Sequence, residues 1–260
     1  MLMRTTLAGL MLLAASAMAQ PAGPGRGPGP FGGARFLGAE AGMPGRVVKN
    51  APYSADVVTE TTQTLPDGNR IHQVTTVKMY RDSEGRTRSE QSLKNLNGLA
   101  PNASLPEVVF INDPVAGANY ALNPSARTAN KSAWMRPAMA MGRGAGRGAR
   151  RGGGDNPNVK TESLGSQVVE GVQADGTRTT MTIPAGRIGN EQPIQIVTET
   201  WYSADLKTVV LSKRSDPRMG ETVTRLSNVS RAEPPATLFQ VPADYKVSET
   251  PRQGRSGSKQ

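Results

Sequence analysis

Residues suited to catalysis or metal binding are scarce in this 260-residue chain, which contains one histidine, His72, and no cysteine. Zinc, copper and haem sites usually take several histidine or cysteine ligands, so this composition argues against a transition-metal site. A Ser-His-Asp triad would have to use His72 from the middle of a predicted strand, and the chain has no nucleophile-elbow motif. We therefore predict no catalytic residue, no metal and no cofactor.

The carboxylates leave one catalytic alternative open. Asp82 and Glu84 lie in a predicted turn, and their spacing lacks the full pattern of a calcium-binding loop. A pair of carboxylates of the kind that glycosidases use can come together in space from distant parts of a chain. A hydrolase that uses unidentified carboxylates is therefore kept as an alternative function.

Four arginines spaced by glycines form the most unusual local pattern, at Arg143, Arg147, Arg150 and Arg151. Such tracts bind RNA as disordered chains, and their charge also suits anionic surfaces. The net charge of +10 resides mainly in this tract and in the terminal segments, not on the predicted strands, so we expect no nucleic-acid groove. The tract is interpreted as a flexible linker, with contact to an anionic surface as its alternative role.

Three aromatic residues, Phe110, Trp201 and Tyr202, are the candidates for lining a ligand site. Aromatic residues make up 4% of the chain, and most of them fall on predicted strands, where packing in a core is the usual role. Because spacing alone does not separate core positions from ligand positions, both interpretations stay open for these three side chains.

The first nineteen residues have the layout of a secretory signal peptide. Arg4 gives a positive start, residues 7–15 form an apolar run too short to span a bilayer, and residues 17–19 supply small side chains at a cleavage site. We expect cleavage after Ala19 and a periplasmic or secreted protein. No later apolar stretch reaches membrane-spanning length, so no transmembrane segment is expected. Because the chain has no cysteine, we also predict neither a disulfide nor a lipid anchor.

Segments rich in Gly, Pro and Arg divide the chain. Residues 20–45, 141–155 and 248–260 carry too few apolar side chains to offset the entropy lost on ordering, so a disordered leader, a flexible linker and a disordered tail are expected. The intervening segments are each small for an independent core that lacks disulfides and metal. We therefore predict a single β-domain over residues 46–247, interrupted by the linker.

The folded segments have the pattern of β-structure almost throughout. Runs rich in Val, Thr and Ile alternate with turn residues, and short helical turns are expected only near residues 236–239 and after Leu93. The regular short spacing favours an antiparallel meander. Strands are predicted at 57–65, 70–81, 86–93, 107–112, 118–122, 128–132, 159–163, 167–173, 177–183, 194–202, 208–214 and 221–231, with turns that include 66–69 and 175–176.

Three parts of the sequence carry a resemblance to a known family. Residues 109–114 (VFINDP) lead to residues 119–124 (NYALNP), residues 199–206 read ETWYSADL, and residues 238–245 read LFQVPADY. In this order they resemble periplasmic proteins of the LolA/RseB-like kind, and YRDSEGRTR at 80–88 is similar to a stretch in a group of uncharacterised exported bacterial proteins. The resemblance implies a mainly β fold whose curved antiparallel sheet forms an open half-barrel, the concave face of which holds acyl chains or other apolar partners.

These observations favour a non-enzymatic binding or carrier module for an apolar or amphipathic partner in the cell envelope, such as a lipid, a lipoprotein or a peptide. Two alternatives are kept. One is a hydrolase of envelope polymers, and the other is a protein that associates with anionic envelope material through its arginine-rich linker. A cavity lined by apolar side chains would favour the carrier, whereas a cleft with two facing carboxylates would favour the hydrolase.

Overall fold

The computed structural model of this protein describes residues 47–92, 107–134 and 156–249. The signal peptide, the leader, the linker with its four arginines, the helical turn after Leu93 and tail residues 250–260 lie outside the described residues, so the expectations for them stay predictions. In the part of the chain that is described, no helix is both long and apolar enough to span a membrane.

Twelve strands pair into one sheet within the described ranges, and its order is β12-β6-β5-β4-β3-β2-β1-β11-β10-β9-β8-β7. β12 is parallel to β6, and every other pair is antiparallel. The sheet does not close on itself, which confirms the prediction of a mainly β protein with an open sheet. The strands are β1 (Tyr53–Thr64), β2 (Arg70–Arg81), β3 (Thr87–Ser92), β4 (Glu107–Asp113), β5 (Ala118–Asn123), β6 (Thr128–Ala133), β7 (Val159–Val169), β8 (Val172–Ile183), β9 (Ile194–Ser203), β10 (Thr208–Asp216), β11 (Gly220–Ser230) and β12 (Lys246–Glu249).

Outside the sheet, the described residues contain a single short 3₁₀ helix, Ala236–Phe239, at the position that the sequence predicts. The strand β12 follows it and has no counterpart in the sequence prediction. Its last residues, Ser248 and Glu249, fall in the segment that composition assigns to the tail. A strand of four exposed residues has no alternation of buried and exposed positions, so its sequence gives no period-2 signal.

Pairing of β1 with β11 joins the two halves of the chain. β1 lies between β2 and β11, so residues from each side of the linker share one hydrogen-bonded ladder. Tyr53, Ala55 and Val57 alternate with half-buried residues along β1, the pattern of a strand that buries one face. The sheet is therefore continuous from residues of the first half to residues of the second.

Buried apolar side chains form two clusters. The main core draws on β1, β2 and β7–β11 and consists of Tyr53, Ala55, Val57, Val77, Met79, Val169, Val172, Ala174, Trp201, Leu206, Val209, Val210 and Leu226. In the small core, Phe239 of the 3₁₀ helix packs over three neighbouring strands. Its other members are Val109, Ile111, Leu122 and Ala129.

The predicted turn at Asp175 and Gly176 is wrong. β8 runs through both residues, and the chain reverses instead at Glu170 and Gly171, whose φ angles are 49° and 76°. Two successive positive φ angles are what a two-residue type I′ hairpin requires. Gly176 lies opposite Trp201, and a Cβ atom at position 176 would come within 2.6 Å of the indole ring. The glycine therefore makes room for a core side chain inside a strand.

Arg81 is a buried charge at the end of β2, with 1% of its surface exposed. Its Nε donates to the carbonyl of Ala51 at 2.9 Å, and its Nη2 donates to the carbonyl of Leu206. The guanidinium group lies 4.7 Å from the centre of the Tyr53 ring. Since burying a charge is costly unless it is hydrogen-bonded, these contacts explain how Arg81 is tolerated beside the main core.

Asp82 follows Arg81 and is equally buried. Its Oδ1 accepts from the backbone N–H groups of Glu84 and Arg86, and its Oδ2 accepts from Arg86 Nε. The Arg86 guanidinium in turn lies 5.4 Å from the centre of the Phe239 ring. This turn therefore connects the end of β2 to the helix that covers the small core.

Candidate functional site

A groove of about 380 Å³ lies beside the small core, within the range of sizes that small-molecule sites have. One wall comes from β4, β5 and β6, and the other from residues 236–249, hereafter the C-terminal segment. The residues that line the groove are Asp113, Tyr120, Lys131, Phe239, Gln240, Val241, Val247 and Glu249. Both aliphatic or aromatic and charged side chains contribute, so the groove has an amphipathic lining.

Sheet register places the groove residues of the strands on one face. Tyr120 of β5 lies directly opposite Lys131 of β6, and directly opposed residues share a face. In the parallel pair, Val247 of β12 lies opposite Ala129, and Glu249 lies opposite Lys131. The alternation of the strands thus sets buried Ala129 in the small core while Lys131, two residues on, reaches the groove.

Hydrogen bonds anchor the C-terminal segment at several points. The Leu238 carbonyl accepts from Arg88 Nη1 at 2.9 Å, so the 3₁₀ helix is tied to β3. Further along, the Lys246 backbone N–H donates to the Arg127 carbonyl at 2.9 Å, where β12 begins its pairing with β6. Phe239, 2% exposed, sits between these anchors. The segment is therefore held over the strands while its middle leaves the groove open.

The charged rim of the groove contains an ion pair. Lys131 Nζ donates to Glu249 Oε1 at 2.8 Å, and this hydrogen bond raises the pKa of Lys131 and lowers the pKa of Glu249. Asp113 Oδ1 accepts from the backbone N–H groups of Val115 and Ala116 at 2.9 and 2.8 Å, which closes the turn after β4. The rim thus contains one lysine and two acidic side chains.

The structure does not bring the three predicted ligand residues together. Trp201, 8% exposed, belongs to the main core, whereas its neighbour Tyr202 is 36% exposed and points to the opposite side of β9. Phe110 is half-buried on β4, which is six places from β9 in the sheet order. Their assignment as ligand contacts stays a prediction, and none of them lines the groove.

His72 occupies an exposed position on β2, where its Nδ1 lies 3.2 Å from the Thr62 hydroxyl. Over residues 47–92, 107–134 and 156–249, no cluster of three or more His, Asp or Glu side chains is arranged to hold a metal ion. The groove, in contrast, was not predicted, because its residues come from three separated parts of the chain. Three of the stretches that carry the family resemblance nevertheless fall on it: VFINDP supplies Asp113, NYALNP supplies Tyr120, and LFQVPADY supplies Phe239, Gln240 and Val241.

Comparison with known proteins finds similar solved structures but no similar sequence. No family model matches the sequence, and no curated protein sequence matches it. The chain is similar to an uncharacterised conserved protein from Thermus thermophilus, with 10% identity, a TM-score of 0.41, and coverage of 77% of this chain and 91% of that chain. A LolA superfamily protein from Nitrosomonas europaea is similar at 11% identity and a TM-score of 0.28, over 80% of this chain and 97% of that one.

A further similarity is to a chain of the Pseudomonas aeruginosa MucA/MucB complex, with 14% identity and a TM-score of 0.39. It covers 76% of this chain but 58% of that chain, so the present chain spans less than two thirds of its length. The similar structures thus include a member of the superfamily that the sequence resembles.

Proposed function

We propose that this protein is an exported, non-enzymatic binding module that holds a small amphipathic ligand of the cell envelope in the groove beside the small core. The observation that carries the proposal is the division of the groove lining. Val241 and Val247 supply apolar surface beside the buried Phe239 ring, and Lys131 and Glu249 supply a charged rim. An amphipathic molecule matches both parts at once.

Incomplete burial of Val247 supports a bound partner. This side chain is 49% exposed although it lies next to the small core, and covering apolar surface contributes roughly 25 cal/mol per Å². A volume of about 380 Å³ is at the low end for ligand sites, so the groove suits one short ligand rather than several long acyl chains.

A displacement titration with a fluorescent fatty acid tests the binding site. The purified protein should bind the probe saturably, and Val247→Asp should weaken binding by at least about tenfold because it places a charge against the apolar part of the ligand. Val168→Asp is the matched control, since Val168 is 67% exposed on β7, at the other end of the sheet order.

Absence of saturable binding by the unaltered protein, or equal weakening by both valine variants, would contradict the proposed site. Lys131→Met provides a second variant that keeps an apolar stem on β6. It should change the preference between probes with anionic and cationic head groups while the melting temperature stays the same.

Export is the second part of the proposal and rests on the signal-like first nineteen residues. Sequencing the N-terminus of protein recovered from the host envelope or medium should give Gln20 as the first residue. Recovery of the protein from the cytoplasmic fraction with Met1 retained would contradict export without bearing on the groove.

The alternative function, a hydrolase, would need two catalytic carboxylates, and the groove contains two, Asp113 and Glu249. A general acid in glycoside hydrolysis needs a raised pKa, whereas the hydrogen bond from Lys131 lowers the pKa of Glu249. Asp113 uses one carboxylate oxygen for two backbone N–H groups of its turn. These engagements support the binding function over the hydrolase.

A further inference from the structure

Six hydroxyl-bearing side chains occupy one face of β7, β8 and β9 in a two-by-three arrangement, hereafter the hydroxyl grid. One row runs across the three strands through directly paired positions, and a second row lies two residues further along each strand. Neighbouring strands are about 4.8 Å apart, and residues two apart along a strand are separated by roughly 6.8 Å. The rows are Ser163, Thr177 and Thr200, and Thr161, Thr179 and Thr198.

The first row continues across the sheet, but its hydroxyl-bearing side chains become buried. Beyond Thr200 it passes through Ser212 to Thr224 and Thr59, which are directly opposite one another. Thr59 and Thr224 are 8% and 4% exposed, and the Thr59 hydroxyl donates to the Thr224 hydroxyl at 3.3 Å. All members of the grid are exposed or half-buried. The grid is therefore the accessible part of a longer hydroxyl row.

Hydroxyl groups of the grid are almost all free to bind. Within the described residues, the Ser163 hydroxyl accepts a 3.3 Å hydrogen bond from the Gly165 backbone N–H, and the five threonines make no side-chain hydrogen bond. Each hydroxyl offers one donor and two acceptor positions. A row of such groups can pair with a ligand whose own groups both donate and accept.

Most charged residues of these strands lie on the opposite face, and the exception is Asp175 of β8, which lies on the grid side two residues from Thr177. Glu162, Arg178 and Glu199 lie between the grid residues along β7, β8 and β9, and they point away from the grid because successive side chains alternate. Arg178 and Glu199 form an ion pair at 2.7 Å. On the grid side, the next residue of the second row is Arg214, which is paired with Asp216 at 3.7 Å. The six grid residues are therefore uncharged, and Asp175 and Arg214 flank them on the same face.

We propose that the hydroxyl grid is a binding surface for an uncharged polysaccharide chain. The sugar hydroxyls both donate and accept, so they can satisfy the threonine hydroxyls, and the threonine methyl groups can contact the C–H surfaces of the rings. An acyl chain on this face would leave the hydroxyls without partners, which costs free energy for each buried group. A polyanion would need clustered cations, which the grid lacks.

The test is isothermal titration of the purified protein with three neutral glycans: laminarin, dextran and a chitin oligosaccharide. At least one should bind saturably, and its affinity should be the same at low and high salt because no counterions are released. The triple variant Thr177→Val, Thr179→Val, Thr200→Val should lose affinity by at least about tenfold, since three hydroxyl hydrogen bonds are removed.

The control is Thr180→Val with Thr182→Val, which changes the other face of the same strand β8 and should leave glycan affinity unchanged. Failure of all three glycans to bind the unaltered protein, equal loss in the two variants, or affinity that falls steeply with salt would each overturn the proposal. Fatty-acid displacement should be the same in the triple variant and the unaltered protein, so failure at the grid is distinguishable from failure at the groove.

Discussion

The main core and the small core are covered in different ways. Strands from both halves of the chain enclose the main core, and its buried residues range from 0% to 9% exposed. The small core is covered by the C-terminal segment, which contributes a four-residue helix and a four-residue strand. Because this short segment covers the strands only partly, Val247 stays 49% exposed, and the groove proposed as a ligand site lies beside the smaller of the two cores.

The largest effect is expected from Arg81→Ala beside the main core. Loss of two charge-assisted hydrogen bonds and the contact with Tyr53 should lower the free energy of unfolding by about 4 kcal/mol. Urea denaturation would measure it. Arg231→Ala is the control, because Arg231 is 52% exposed and its ion pair with Asp205 spans 3.3 Å, so stability should hardly change. Equal stability of the two variants would show that the contacts of Arg81 do not stabilise the main core.

Phe239→Ala should show whether the small core can unfold without the main core. Truncation of this buried ring should cost about 3 kcal/mol, and the loss should be local because the C-terminal segment can detach while the strands of the main core stay paired. Hydrogen exchange followed by mass spectrometry should show faster exchange in residues 236–249 and in β6, with β9 and β10 unchanged. Faster exchange in β9 to the same degree would show that the cores unfold as one unit.

Gly176→Ala tests how tightly the main core is packed. The added methyl group meets the Trp201 ring, so stability should fall by about 2 kcal/mol. Combining it with Trp201→Leu should cost less than the sum of the single variants, since the smaller side chain removes the clash. Thermal melts of the three variants would measure this coupling, and strictly additive losses would contradict the packing explanation.

A smaller, pH-dependent effect is expected at Asp216, whose side chain is 2% exposed at the end of β10. The hydrogen bond from the Arg218 guanidinium lowers the pKa of this carboxyl below its ordinary value of 3.8. The unfolded chain therefore binds a proton first as the pH falls, so Asp216 stabilises the fold above about pH 4 and loses this contribution as the pH drops through the lowered value.

The measurement is the difference in unfolding free energy between the unaltered protein and Asp216→Asn, determined by urea denaturation from pH 7 to pH 3. The difference should be constant near neutral pH and should shrink in the acid range. A difference that grows as the pH falls would have the wrong sign for a carboxylate held by Arg218.

Local sequence chemistry predicted most strands but not all of their ends. The turn at residues 66–69 and the 3₁₀ helix at Ala236–Phe239 follow from Pro and Gly placement and from short apolar runs. At Asp175-Gly176 the same logic failed, because a glycine that makes room for Trp201 looks like a glycine that permits a turn. The groove escaped prediction since Tyr120, Lys131 and Val247 become neighbours only through strand pairing.

By itself, the sequence determined the class of the fold and where most strands run, because alternation and turn chemistry act over a few residues. Tertiary structure decided which strands pair, and hence that β1 lies against β11 and β12 against β6. Those pairings join residues more than a hundred positions apart and place Phe239 over the small core. Both the amphipathic groove and the hydroxyl grid depend on sheet register, which is set by the packing of whole faces rather than by any one segment.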